Sequence, residues 1–246
     1  MTCIRPLTCY VFLSLMALAL ILGGTGCDQH SEQKKAILKT WTDYNTALAN
    51  TDGQTAARLL SKASIDRYQT LIRKGLDAKS AEVLAMSPCD MAEILTMRNR
   101  ATRAQLNGYA GKGYVIYAVN NGWWGAFDES EDWRFKVTKV EPDRATAVLT
   151  EIIHETVQRL PSMSLRGMVR NSMTSERTRK GREYTITFVN EDGWKLEESS
   201  MLARVNQEIQ TTAKAARLSV RDFLMFIEEE DSGKEVKASI WDPMRK

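Results

Sequence analysis

Apolar positions first recur along this chain with the period of a helix. Ile37, Trp41, Tyr44 and Leu48 follow one another at offsets of four, three and four, one stripe of an amphipathic helix. Thr51-Asp52-Gly53 breaks the stripe, and Asp52 caps a short helix carrying Ala56, Leu59 and Leu60. Ser64 is expected to cap a third helix with Ile65, Tyr68, Leu71 and Ile72 on one face and Gly75 at its end. Residues 76–86 read as another short helix. Ser87-Pro88 places a cap before a proline at the first helical position, and Met91, Ile94, Leu95 and Met97 carry that helix toward Asn107-Gly108.

The period then changes. Residues 114–119 are apolar and β-prone and are expected to form a strand, followed by the turn Asn120-Asn121-Gly122. Residues 133–141 alternate, Pro142-Asp143-Arg144 turns the chain, and 145–157 form a second strand. A basic stretch over 158–180 interrupts. Tyr184, Ile186 and Phe188 then share one face of a strand, which Asn190-Glu191-Asp192-Gly193 joins to a returning strand begun by Trp194 and Leu196. Helical spacing resumes with Leu202, Val205 and Ile209. Ser219 caps a last helix with Val220, Phe223, Leu224 and Ile227 on one face, and from Glu228 the charged chain is expected to fray.

Ahead of the first helix, Arg5 precedes an apolar run over 10–22, short of the roughly 20 residues that span a bilayer. The run ends in Gly23-Gly24-Thr25-Gly26-Cys27, which resembles a bacterial lipobox, with Gly24 where a branched aliphatic residue is usual. The resemblance implies a signal peptide over 1–26, lipidation at Cys27, a polar tether over 27–35, a folded body over 36–230 and a charged tail over 231–246. Asp28 resembles the enterobacterial signal for inner-membrane retention. Cys3 and Cys9 would leave with the signal, so Cys89 stands alone: no disulfide framework forms, and a small buried residue is the expected role.

Helices followed by an antiparallel sheet make an α+β protein. The opening helix with Trp41 and Tyr44, the break Asn50-Thr51-Asp52-Gly53, the hairpin from Phe135 to Glu141 into 145–150, and the segment from Thr187 to Leu196 resemble the NTF2-like (cystatin-like, SnoaL-type) superfamily. That resemblance implies N-terminal helices packed on a curved antiparallel sheet to form a cone, with the C-terminal helices as additions.

The formal charge of +3 is too small for a nucleic-acid binder. His154-Glu155 opens like a zincin helix, but Gln158 stands where the second ligand belongs, so no metal or other cofactor is expected. Gly108-Tyr109-Ala110-Gly111-Lys112-Gly113 lacks the Walker spacing and reads as a flexible connection from helix to sheet. Trp41, Tyr44, Glu151, His154, Phe188 and Trp194 are the residues expected around a pocket in the cone, with Glu151 or His154 the only acid or base candidates. Two surfaces suggest partner binding: the basic stretch with Arg166, Arg170, Arg177 and Arg179, and the last helix with Phe223 and Phe226. The expectation is a lipid-anchored, extracytoplasmic binding or scaffolding module without catalysis, its partners the membrane and an envelope protein. The alternative is a small-molecule isomerase or hydrolase using Glu151 or His154.

Overall fold

The computed structural model describes residues 30–124, 133–158 and 174–245, with the side chains of 154–158 and 174–178 outside the description. Among these residues the chain is α+β: seven α-helices, a four-stranded antiparallel sheet, two further α-helices and a closing 3-10 turn.

Helix α1 (30–49) buries Ile37, Trp41, Tyr44 and Leu48, the stripe that its spacing predicts. It already includes residues 30–35, read from sequence as tether. Helix α2 (Gly53–Leu59) starts where the Asp52 carboxylate accepts the Thr55 N–H at 3.0 Å. Helix α3 (Lys62–Asp77) is capped by Ser61, three residues before the expected Ser64, and runs through Gly75. Helix α4 (Ser80–Leu84) is brief. Helix α5 (Pro88–Arg100) has the Ser87 cap and the leading proline, but ends at Ala101, where Thr102 and Gln105 build a capping box that starts α6 (Arg103–Asn107).

Residues 114–119 lie within a helix, α7 (Gly111–Asn120), and not in the expected strand. A short apolar run does not settle its own period. Tyr114, Val115, Ala118 and Val119 are all fully buried, a helical grouping satisfied by packing against α2 and α3. The glycine-rich segment before it therefore joins helix to helix. Gly111 abuts α3 so closely that a Cβ there would overlap the Ile65 carbonyl oxygen, and its N–H donates to Gln69 Oε1 at 2.8 Å.

Strands β1 (Trp133–Val140), β2 (Arg144–Gln158), β3 (Thr174–Asn190) and β4 (Trp194–Glu197) lie in chain order. Part of the expected basic interruption is thus strand. Alternation directs Phe135, Ala145, Ala147, Leu149, Tyr184, Ile186, Phe188, Trp194 and Leu196 to one face. Trp41 of α1 stacks there on Phe135 at 5.2 Å, and Phe135 meets Phe188 edge-on at 6.1 Å. Helix α8 (Ser199–Ala215) packs along β3. The β3–β4 hairpin turns through positive φ at Asp192 (53°) and Gly193 (106°), as its sequence implies.

Helix α9 (Val220–Ser232) buries Leu224 and Glu228, and leaves Ile227 of its expected apolar face 38% exposed. The reason is an ion pair: Glu228 accepts Arg100 Nε at 2.6 Å, which aims its face at α5. The chain beyond does not fray. Val236 and Trp241 are buried, the latter in the 3-10 turn Ala238–Trp241. Buried Arg98 donates to the carbonyls of Lys74, Gly75, Ala78, Ile240 and Trp241, tying this segment to the end of α3.

Replacing Gly111 by Ala should lower the unfolding free energy in urea by about 1–3 kcal/mol, because backbone must move. Gly113→Ala should cost less, since only the Tyr109 ring, 3.3 Å from a Cβ there, has to yield.

Candidate functional site

Glu198 stands where β4 passes into α8, as the N-cap residue of that helix, and is only 8% exposed. Trp194 and Leu196 point inward along β4, and the next step of the alternation brings Glu198 to the same side. Its carboxylate accepts the Tyr68 hydroxyl at 2.9 Å and the Tyr44 hydroxyl at 3.4 Å, with the Arg67 guanidinium 4.0 Å away. Its backbone N–H donates to Ser64 Oγ at 3.1 Å, and Ser64 is held in turn by Ser61.

A second carboxylate lies on α5. Glu93 accepts a short hydrogen bond from the Tyr114 hydroxyl and another from Trp124. The Tyr68 ring packs 4.9 Å from Trp124 and 6.0 Å from Tyr114. Arg67 lies over that ring at 5.1 Å and places two N–H groups on Asp90 Oδ1, at 3.0 and 2.6 Å. Four helices and the β4–α8 corner meet at this cluster.

Burial raises the pKa of Glu198, opposed by the Tyr68 hydrogen bond and Arg67 and reinforced by the Glu93 charge. Glu93 keeps some solvent contact at its edge, yet the dense packing around its carboxyl raises its pKa as well, against Tyr114, Arg67 and Trp124. Burial, and then the adjacent carboxylates, hold the Tyr44, Tyr68 and Tyr114 hydroxyls far above their usual value, so all three stay donors. Nearby Cys89 is 8% exposed and burial pushes its thiol up to about 11, which leaves it protonated and unreactive. The cluster can hold protons. Its donors, however, are aimed at its own carboxylates.

The chain matches no protein-family model, no curated protein and no solved structure.

Of the residues expected around a pocket, Trp41, Tyr44, Phe188 and Trp194 are buried in the core packing. Glu151 lies at a bulge where Gly181 and Arg182 of β3 oppose it. Its carboxylate accepts the Arg182 N–H at 3.0 Å and the guanidinium at 2.9 and 3.0 Å, and these bonds bring its pKa down to about 2. His154 sits opposite Thr178 on the β2–β3 ladder, with its side chain outside the described residues, as are Cys27, Arg166 and Arg170 altogether. The Arg177 backbone pairs with Glu155, and its side chain is likewise undescribed. Arg179 is exposed on β3, Phe223 is half-buried and Phe226 is 50% exposed. Arg179 borders a groove of about 570 Å³ lined also by Arg134, Phe135, Lys136, Thr150, Ile152 and Lys180, most of them on the sheet face opposite the helices. A separate cleft of about 450 Å³ lies between Arg98, Arg103 and the C-terminal segment. Among the described residues, no His, Cys, Asp and Glu group could hold a metal ion, and no helix is long and apolar enough to cross a membrane.

Sequence reasoning passed over Glu93, Glu198, Tyr68 as a donor, Tyr114 and Arg67. For Glu198 a signal existed: extending the Trp194–Leu196 alternation by one step reaches it. Glu93 lies off the apolar stripe of its helix, and nothing local marks it.

Both glutamates titrate higher in the folded chain than in the unfolded one, where the value is about 4.3. The stability this confers is complete below that value and is lost as the pH rises through the raised folded pKa. Urea unfolding should therefore show a more stable protein at pH 5 than at pH 8, and Glu198→Gln should flatten that slope. Glu198→Ala, which strands buried hydroxyls, should cost about 2–4 kcal/mol at either pH.

Proposed function

We propose that this chain is an envelope lipoprotein, exported, cleaved before Cys27 and acylated there. It is held on the extracytoplasmic face of a bacterial membrane, the inner membrane facing the periplasm if the host is Gram-negative. The body acts there as a non-catalytic binding or scaffolding module, an NTF2-like cone with helical additions. The lipobox-like Gly24-Thr25-Gly26-Cys27 supports the anchor. Among the described residues, packing of α1 and α8 on one face of the sheet supports the cone.

The observation that carries the non-catalytic reading is that the buried acids are consumed by the fold. Glu198 and Glu93 take their hydrogen bonds from Tyr44, Tyr68, Tyr114 and Trp124. An acid/base reaction through Glu151 would need a proton carrier near working pH, and Arg182 holds that carboxylate ionised far below it. Binding capacity lies outside the cone: the groove on the far face of the sheet, and the exposed apolar side chains Leu218, Phe226 and Ile227, which offer contacts to an envelope protein.

The anchor is tested by feeding cells an alkyne-tagged fatty acid and fractionating them. The unaltered chain should carry label and sediment with membranes, and Cys27→Ser should lose both. Label retained by the variant would overturn the assignment.

A further inference from the structure

We infer that the sheet face turned away from the helices carries a binding site for a phosphate-bearing anion with an apolar body, the chemistry of an anionic phospholipid near its headgroup. This goes beyond the proposed function and stands on the folded body alone, whether or not Cys27 is acylated.

The site follows from strand alternation. In β1, Trp133, Phe135 and Val137 turn toward the helices, which leaves Arg134 and Lys136 exposed on the opposite face. Arg134 pairs with Thr150 of β2. Two residues along β2, Ile152 pairs with Lys180 of β3, and Arg179 is its chain neighbour. Alternation thus brings Arg134, Lys136 and Lys180 to one groove, which Arg179 and the edge of Phe135 also border and whose volume of about 570 Å³ is that of a small-molecule site. Ile152, 8% exposed, gives the groove an apolar floor.

Arg134 and Lys136 differ from the paired arginines of the body. Arg67, Arg100, Arg103, Arg144 and Arg182 each have a carboxylate within 3.0 Å. Among the described residues, no carboxylate pairs with Arg134 or Lys136. Glu183 engages Lys180 at 3.3 Å and the Thr150 hydroxyl at 3.3 Å, which leaves the charges of Arg134 and Lys136 for a ligand. Guanidinium groups fit phosphate oxygens in pairs, and ammonium groups add mobile point charges. A second copy of the chain on this face would set cations against cations. A stacked nucleobase would need an open ring, and the Phe135 ring is turned the other way, onto Trp41.

The phosphate could come from a lipid or from a soluble ester, and one titration separates them. The full chain, in a non-ionic detergent, is titrated calorimetrically with dihexanoyl phosphatidylglycerol, dihexanoyl phosphatidylcholine and glycerol 3-phosphate. The same titrations are run on an Arg134→Gln/Lys136→Gln variant whose melting temperature is matched to the parent. Expected is saturable binding of phosphatidylglycerol, weaker binding of the zwitterionic lipid, and a loss of about tenfold or more in the variant, since two charge-assisted contacts go. Glycerol 3-phosphate bound as tightly, with the same loss, also supports the site and makes its source a soluble phosphate ester. No binding of any probe, or binding that the double substitution leaves unchanged, would overturn the inference without touching the anchor at Cys27.

Discussion

A carboxylate taken out of water is tolerated only where donors replace the water, and Glu198 is the point at which this chain meets that demand. The corner between β4 and α8 is closed by packing Trp194 and Leu196 inward, which carries the next inward position down among the helices. Tyr44 from α1 and Tyr68 from α3 bring their hydroxyls to it, and Arg67 supplies charge. Those helices must then sit where their hydroxyls can reach. Glu93 repeats the arrangement with Tyr114 of α7 and Trp124, so the second layer of the fold is positioned by the same requirement. Removing one partner strands the other, so the network acts as a unit.

The C-terminal segment is docked by an inverted version of this logic. Arg98 is a buried cation whose hydrogen bonds, among the described residues, go to backbone carbonyls and not to a carboxylate. Helix α3 ends with unpaired carbonyls, and the guanidinium fork satisfies them together with those of Ile240 and Trp241. One side chain thereby closes a helix end and fastens the last segment of the chain.

These networks turn the polar chemistry of the body inward, where it serves the fold. What is left to meet other molecules is on the outside: cations on the far sheet face, exposed Phe226 and Ile227 on α9, and the lipid proposed at Cys27. If the proposed anchor holds, cations such as Arg134 and Lys136 gain from proximity to anionic headgroups, because the tether raises their effective concentration.

Periodicity alone was enough for much of the architecture. The α1 stripe, the Asp52 and Ser87 caps, the hairpin at Asn190 to Gly193 and the inward face of Tyr184, Ile186 and Phe188 each follow from a local pattern with a local physical cause. Residues 114–119 could not be read that way, since a short run apolar on every side fits a buried helix or a buried strand alike, and only contact with α2 and α3 selected the helix. The frayed end failed for a related reason: neither Trp241 nor Arg98 reveals in sequence that they will meet. The site lies between these cases. Parity along β4 already pointed Glu198 inward, but Tyr44, Arg67, Tyr68 and Glu93 lie between 105 and 154 positions before it in the chain. Sequence determines which way a side chain faces on its own element, because that depends on backbone period; tertiary structure alone decides which distant side chains it meets there, because burial and hydrogen bonding are properties of the assembled fold.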